Sequence, residues 1–231
     1  MKKFLLVVVM SLLAVSAVLA DSPCPTGTNW QTYLNFNTAV VKTCSIGNLD
    51  FSNFSFTTGG TNPTTASAVG VNTLTTPGDE GFNFNPAIGL AGSNLTEDVS
   101  FDYTVTAIHG VLITDLSLFF NGSVVNNPGG TGANTSVTET QLGGTCTPSC
   151  SVFSVTNPPT SLTKNVVFNS PVTSLQITKD VVASTGTNGQ AAISIVVNDI
   201  SNTPEPRLIS LLVMALLAAL GLSKKFKSVL G

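Results

Sequence analysis

The chain is predicted to fold as an all-β body, an antiparallel β-sandwich or jelly-roll, flanked by an N-terminal signal helix and a C-terminal transmembrane helix. Two observations carry the body: side chains alternate apolar and polar with period two, and short alternating runs are separated by Gly, Pro and Asn clusters. A third is negative, since no stretch between the two ends has a convincing helical period. No fixed repeat is present, which disfavours a β-helix.

The clearest strand alternates Val99, Phe101, Tyr103 and Val105 with Ser100, Asp102, Thr104 and Thr106, giving one buried and one wet face. Leu116, Leu118 and Phe120 repeat the pattern and run into Asn121-Gly122, a pair that tolerates the positive φ of a tight turn, so a hairpin continuing at Val124 and Val125 is expected. A second hairpin is expected between Leu175, Ile177 and Val181 and Ile193, Ile195 and Val197, joined by Ser184 to Gly189. Further strands are read at Leu49 to Thr57, Ala68 to Leu74, Gly81 to Phe84, Ser136 to Gln141, Ser151 to Thr156 and Leu162 to Phe168. Gly59 to Pro63, Asn126 to Thr131 and Asn157-Pro158-Pro159 supply the breaks.

Both ends read as signals. Met1-Lys2-Lys3, an apolar run from Phe4 to about Val15, and small residues ending at Ala20 form the order of a secretory signal cleaved after Ala20 by signal peptidase. At the other end Thr203-Pro204-Glu205-Pro206 precedes an apolar run from Leu208 to Leu222 and the cations Lys224, Lys225 and Lys227. Such a helix is about 23 Å long at 1.5 Å per residue, marginal for a ~30 Å hydrocarbon core, although Arg207 and the lysines can snorkel. The lysines orient it with the body outside the cytoplasm. The division is therefore 1–20 signal peptide, 21–202 ectodomain and 203–227 tail, with its transmembrane helix at about 207–223.

The sequence Pro204-Glu205-Pro206, a short apolar helix and a terminal basic cluster resembles the PEP-CTERM sorting domain, a tail pattern that also carries the name ice-binding protein C-terminal domain. The resemblance covers residues 203–227 and implies a Gram-negative exosortase substrate. Such a protein is held transiently in the inner membrane, cut near Pro-Glu-Pro by an exosortase, and released to the cell surface, biofilm or exopolysaccharide. Asp50 to Phe56, Asp98 to Thr106 and Ile177 to Asp180 also resemble the bodies of proteins with this tail. Independently of any family, Pro204 and Pro206 disfavour regular structure and leave an extended strip that a protease can engage.

Composition narrows the functional classes. Between residues 21 and 203 the cations Lys42, Lys164 and Lys179 face eleven carboxylates, a net charge of about −8 that the whole-chain value of −3 conceals. Without a basic patch, nucleic acid is an unsuitable partner. The four cysteines, Cys24, Cys44, Cys146 and Cys150, suit two disulfides in an oxidising compartment. Three pairings are open, of which Cys24 with Cys44 and Cys146 with Cys150 need only local closure. Neither pair has the spacing of a zinc knuckle or of a Cys-x-x-Cys redox site.

Catalytic chemistry is not expected. His109 is the single histidine and reads as a strand-end or turn residue, and no nucleophile elbow accompanies it. Asp79-Glu80, Glu97-Asp98 and Asp102 are the nearest approach to paired acids, but adjacent strand residues point apart. No catalytic residue, cofactor or metal site is assigned, although Pro77 to Gly81 is a credible acidic loop for calcium. The triplets beginning at Asn53, Asn94, Asn121 and Asn134 match the N-glycosylation pattern, as expected by chance in so Asn-, Ser- and Thr-rich a chain. Trp30 and Tyr33, which combine a ring with a polar handle, are the aromatics to watch as a carbohydrate platform, whereas each Phe is expected in the core. A non-enzymatic exported surface or matrix protein associated with exopolysaccharide is the leading expectation. A carbohydrate-binding module, with or without calcium, is the alternative.

Overall fold

The computed structural model describes residues 22–143, 152–157 and 162–204. In chain order these form β1 (Thr28–Asn29), α1 (Trp30–Phe36), β2 (Thr43–Ile46), β3 (Leu49–Gly60), a 3-10 turn (Ala66–Ala68), β4 (Gly70–Thr76), β5 (Asp79–Asn85), β6 (Ile88–Gly92) and β7 (Thr96–Ala107). The remaining strands are β8 (Val111–Asn126), β9 (Asn134–Leu142), β10 (Val152–Asn157), β11 (Thr163–Val172), β12 (Ser174–Ser184) and β13 (Gly189–Pro204).

Two antiparallel sheets pack face to face. One has the order β10-β9-β12-β7-β3-β2. The other runs β1-β4-β5-β13-β8-β11, with β6 also paired to β13. The expected sandwich is thus present, and every strand predicted from alternation is found. Val99, Phe101, Tyr103 and Val105 are buried on one sheet, while Leu116, Leu118 and Phe120 are buried on the other.

Partner choice differs from expectation at both predicted hairpins. Asn121-Gly122 is not a turn but lies inside β8, where β13 carries a bulge between Ile193 and Ile195. Gly122 serves packing instead, since a Cβ there would come within 2.5 Å of the Phe120 ring and 2.7 Å of Thr135 Oγ1. The second predicted hairpin is divided between the sheets: β12 pairs with β7 and β9, whereas β13 pairs with β5, β6 and β8. Period two identifies a strand with one buried face, but both sheets of a sandwich offer the same apolar interior.

A short helix was not expected, yet Trp30–Phe36 forms α1, with the Asn29 side chain accepting from Thr32 N at 3.2 Å as its N-cap. Seven residues are too few to show a period, although Trp30, Tyr33 and Leu34 have the i, i+3, i+4 spacing of one apolar face. That face closes one side of the sandwich. The Trp30 ring lies 5.4–6.3 Å between centroids from Tyr33, Phe54, Phe82, Phe84, Phe101 and Tyr103, and its Nε1 donates to Ser55 O at 2.9 Å. Trp30 and Tyr33 are therefore fully buried, which corrects their reading as an exposed sugar platform.

Cys24 and Cys44 form a disulfide with Cα atoms 4.7 Å apart. It ties the stretch around Cys24 to β2, where Cys24 N donates to Ser45 O and Ser45 N to Ser22 O, each at 2.9 Å. β13 ends at Pro204, the Cα partner of Val111, two residues beyond the boundary drawn at 202. Among the described residues no helix is long and apolar enough to cross a membrane. Both predicted helical ends, together with Ala20, Glu205, Pro206, Arg207, Lys224, Lys225, Lys227, Cys146 and Cys150, lie outside the described residues.

Candidate functional site

The outer face of the seven-stranded sheet carries two adjoining depressions of about 210 and 430 Å³ that share Ser123 and Ala192. Their shape follows from register. Gly89 on β6, Ala192 on β13 and Ser123 on β8 form one cross-strand row, and Ala91, Gln190 and Val125 form the next. Side chains at these outward positions are small where the three strands meet, so the floor is low. A Cβ added at Gly89 would meet nothing within 4 Å.

Taller polar groups stand around that floor. Asn121, Ser194 and Asn85 edge the larger depression and Gln190 the smaller. Asn85 is held by its own turn, its Oδ1 accepting from Ala87 N at 3.1 Å, with Ala87 in the left-handed region at φ 53°. The Ser194 hydroxyl donates to Asn121 O at 3.4 Å across the β13 bulge, so the irregularity that displaced the predicted turn also shapes the groove. Two residues before Asn121 on the same strand face, Phe119 is 38% exposed, and a two-residue step along a strand is roughly 7 Å. None of the lining residues is titratable. The groove thus offers neutral amides, hydroxyls, an apolar flank at Val125 and a nearby ring. These groups suit hydrogen bonding to a neutral, polyhydroxylated ligand.

The acidic residues singled out from sequence are dispersed. Asp79 is exposed, whereas Glu80 turns inward, is buried, accepts from Gly78 N at 3.3 Å and bonds Asn202 Nδ2. The proposed calcium loop is therefore a two-residue turn whose acids face opposite sides, and among the described residues no group of three ligating side chains is positioned for a metal. Glu97 and Asp98 likewise diverge, buried and exposed. Asp102 accepts from Thr178 Oγ1 at 2.5 Å and from Ser55 Oγ on the outer face of the six-stranded sheet. His109 occupies the β7–β8 turn at φ 56° beside Gly110. Asn53, Asn94, Asn121 and Asn134 are all exposed.

One acidic pair has a measurable consequence. Burial, then a hydrogen bond with Asp98 and repulsion from it, push the Asp180 carboxyl up to about 6, and burial also raises Glu97 and Asp199. A carboxyl raised in the native state keeps its proton between its ordinary value near 3.8 and about 6, where the unfolded chain has lost it. The native state then binds more protons, so stability declines as pH climbs through that window. Calorimetry is expected to give a thermal midpoint that falls from about pH 4 to about pH 7, with a shallower fall in Asp180→Asn. A midpoint that rises over the same range contradicts this.

No protein-family model matches the chain, and no curated protein matches it. Among solved structures it is similar to TmCBM61 in complex with β-1,4-galactotriose, at 15% identity and TM-score 0.28, covering 65% of this chain and 88% of that one. It is also similar to the family 11 carbohydrate-binding module of Clostridium thermocellum, at 8% identity and TM-score 0.20, covering 70% and 99%. A third similarity, at 15% identity and TM-score 0.28, is to the enzymatically active domain of bacteriophage CBA120 tailspike protein 4, where 64% of this chain covers 19% of that one.

Proposed function

We propose that this chain is an exported, non-enzymatic surface or matrix protein whose sandwich binds a neutral polysaccharide in the groove on its seven-stranded sheet. The observation that carries this reading is the groove's chemistry. Asn85, Asn121, Gln190, Ser123 and Ser194 supply donors and acceptors without charge around a floor of glycine and alanine, with Phe119 exposed beside them. Sugars present hydroxyls that such side chains bond and C–H faces that stack on a ring.

Export is supported by the signal-like start and by the Cys24–Cys44 disulfide, which suits an oxidising compartment. The Pro204-Glu205-Pro206 tail supports inner-membrane tethering and exosortase release, with exopolysaccharide as the partner that the groove would contact. The site is tested by binding of the purified protein to neutral and acidic polysaccharides. Neutral glycans are expected to bind, and Asn121→Ala or Phe119→Ala to weaken binding by roughly tenfold, since one lost anchoring contact is worth about 1–2 kcal/mol. Silence on a broad glycan array, or binding indifferent to both substitutions, removes the groove from the account.

A further inference from the structure

Lys179 and Glu139 are direct Cα partners on the neighbouring strands β12 and β9. Both side chains point between the sheets with 0% exposure, and Lys179 Nζ contacts Glu139 Oε2. Ile177 and Val181 flank Lys179 on the buried face of β12, the partner of Lys179 on β7 is the buried Phe101, and Glu139 stands between Val137 and the buried amide of Gln141 on the inner face of β9. Lys179 interrupts the apolar phase of β12, where Leu175, Ile177, Val181 and Ala183 fill the other inward positions, and a salt bridge so placed seldom repays its desolvation.

We propose that Lys179 and Glu139 condense into an intramolecular amide, an isopeptide cross-link that staples β12 to β9 inside the sandwich. As ions the pair is poorly matched. An ammonium brings three donors, while Glu139 Oε1 has no hydrogen-bond partner among the described residues. An amide carries one N–H, one carbonyl and no charge, so its demand on the core is smaller.

Chemistry allows the step without a co-reactant. Burial holds Lys179 well below its ordinary pKa, and proton transfer from Nζ to Oε2 leaves a neutral amine beside a carboxylic acid with the net charge unchanged. The Nζ lone pair attacks Glu139 Cδ, the C–N bond forms, and the Cδ–Oε2 bond breaks. Oε2 departs as water with the acid proton and one amine proton, and the other N–H remains on the amide. Register holds the two groups together, which replaces a bimolecular encounter by a unimolecular one.

The test is peptide mapping of the purified, reduced and denatured full chain, which needs no variant to fold. Between residues 21 and 203 trypsin can cut only after Lys42, Lys164 and Lys179. The cross-link is expected to block cleavage after Lys179 and to give a branched species in which the peptide spanning 43–164 is joined to the one beginning at Asn165, lighter than their sum by one water. Lys179→Met is expected to lose the branched species. Complete cleavage after Lys179 in the wild-type protein, with both peptides at their free masses, overturns the proposal and leaves a buried ion pair.

Discussion

Replacing Trp30 with alanine is expected to destabilise the domain by about 3–5 kcal/mol, the range for truncating a large buried aromatic side chain. Six other rings pack around this indole, drawn from α1, β3, β5 and β7, so one truncation opens a cavity against both sheets at once. Ser55 O also loses the indole N–H that donates to it. Urea denaturation of wild-type and Trp30→Ala proteins measures the difference directly. A loss below about 1 kcal/mol, typical of an exposed position, would place the indole outside the core.

The second large effect is expected at the disulfide. Cys24 and Cys44 are 20 residues apart in sequence, and closing a loop of that size stabilises by about 3 kcal/mol through the unfolded chain. The bond also keeps the stretch around Cys24 against Ser45 of β2, a contact otherwise made by two backbone hydrogen bonds. Cys24→Ser is expected to lower the unfolding free energy by this amount and the denaturation midpoint with it, and reduction of the wild-type protein to lower both comparably. Unchanged midpoints in both cases would mean that the bond constrains nothing the remaining contacts do not already hold.

The long strands β7, β9 and β12 were legible because each has one wet face, whereas the four- and five-residue strands β2 and β6 were too short to show the alternation and were not read. In β7, Asp102 and Thr104 alternate with Phe101 and Tyr103, and the structure buries the second pair. Pairing was not legible for the same reason, since Ile177 and Ile193 carry the same buried-face signal and yet enter opposite sheets. Asn121-Gly122 misled because glycine permits a close approach as readily as a turn. Its neighbour Phe120 covers it. Trp30 and Tyr33 were misplaced because their polar atoms suggested water. Ser55 O takes the indole N–H and Pro25 O the phenol O–H, so both are satisfied while buried.

The groove itself left almost no trace in the sequence. Gly89, Ala192 and Ser123 are unremarkable residues from three distant segments, and only register places them in one row. Lys179 was the sharper missed signal, because it stands at an inward position of β12 where Ile177 and Val181 predict another aliphatic residue. A lysine breaking the apolar phase of a strand points to a partner in the core. Here that partner is Glu139.

Release from a membrane tether is the proposal that joins the two ends of the chain to the groove on the seven-stranded sheet, and mass spectrometry of the protein shed from intact cells tests it most directly. The account predicts a mature start at Asp21 and a last peptide ending near Pro204-Glu205-Pro206, with the Leu208–Leu222 run missing. Shed protein whose peptides continue through Lys224, Lys225 and Lys227 would contradict it.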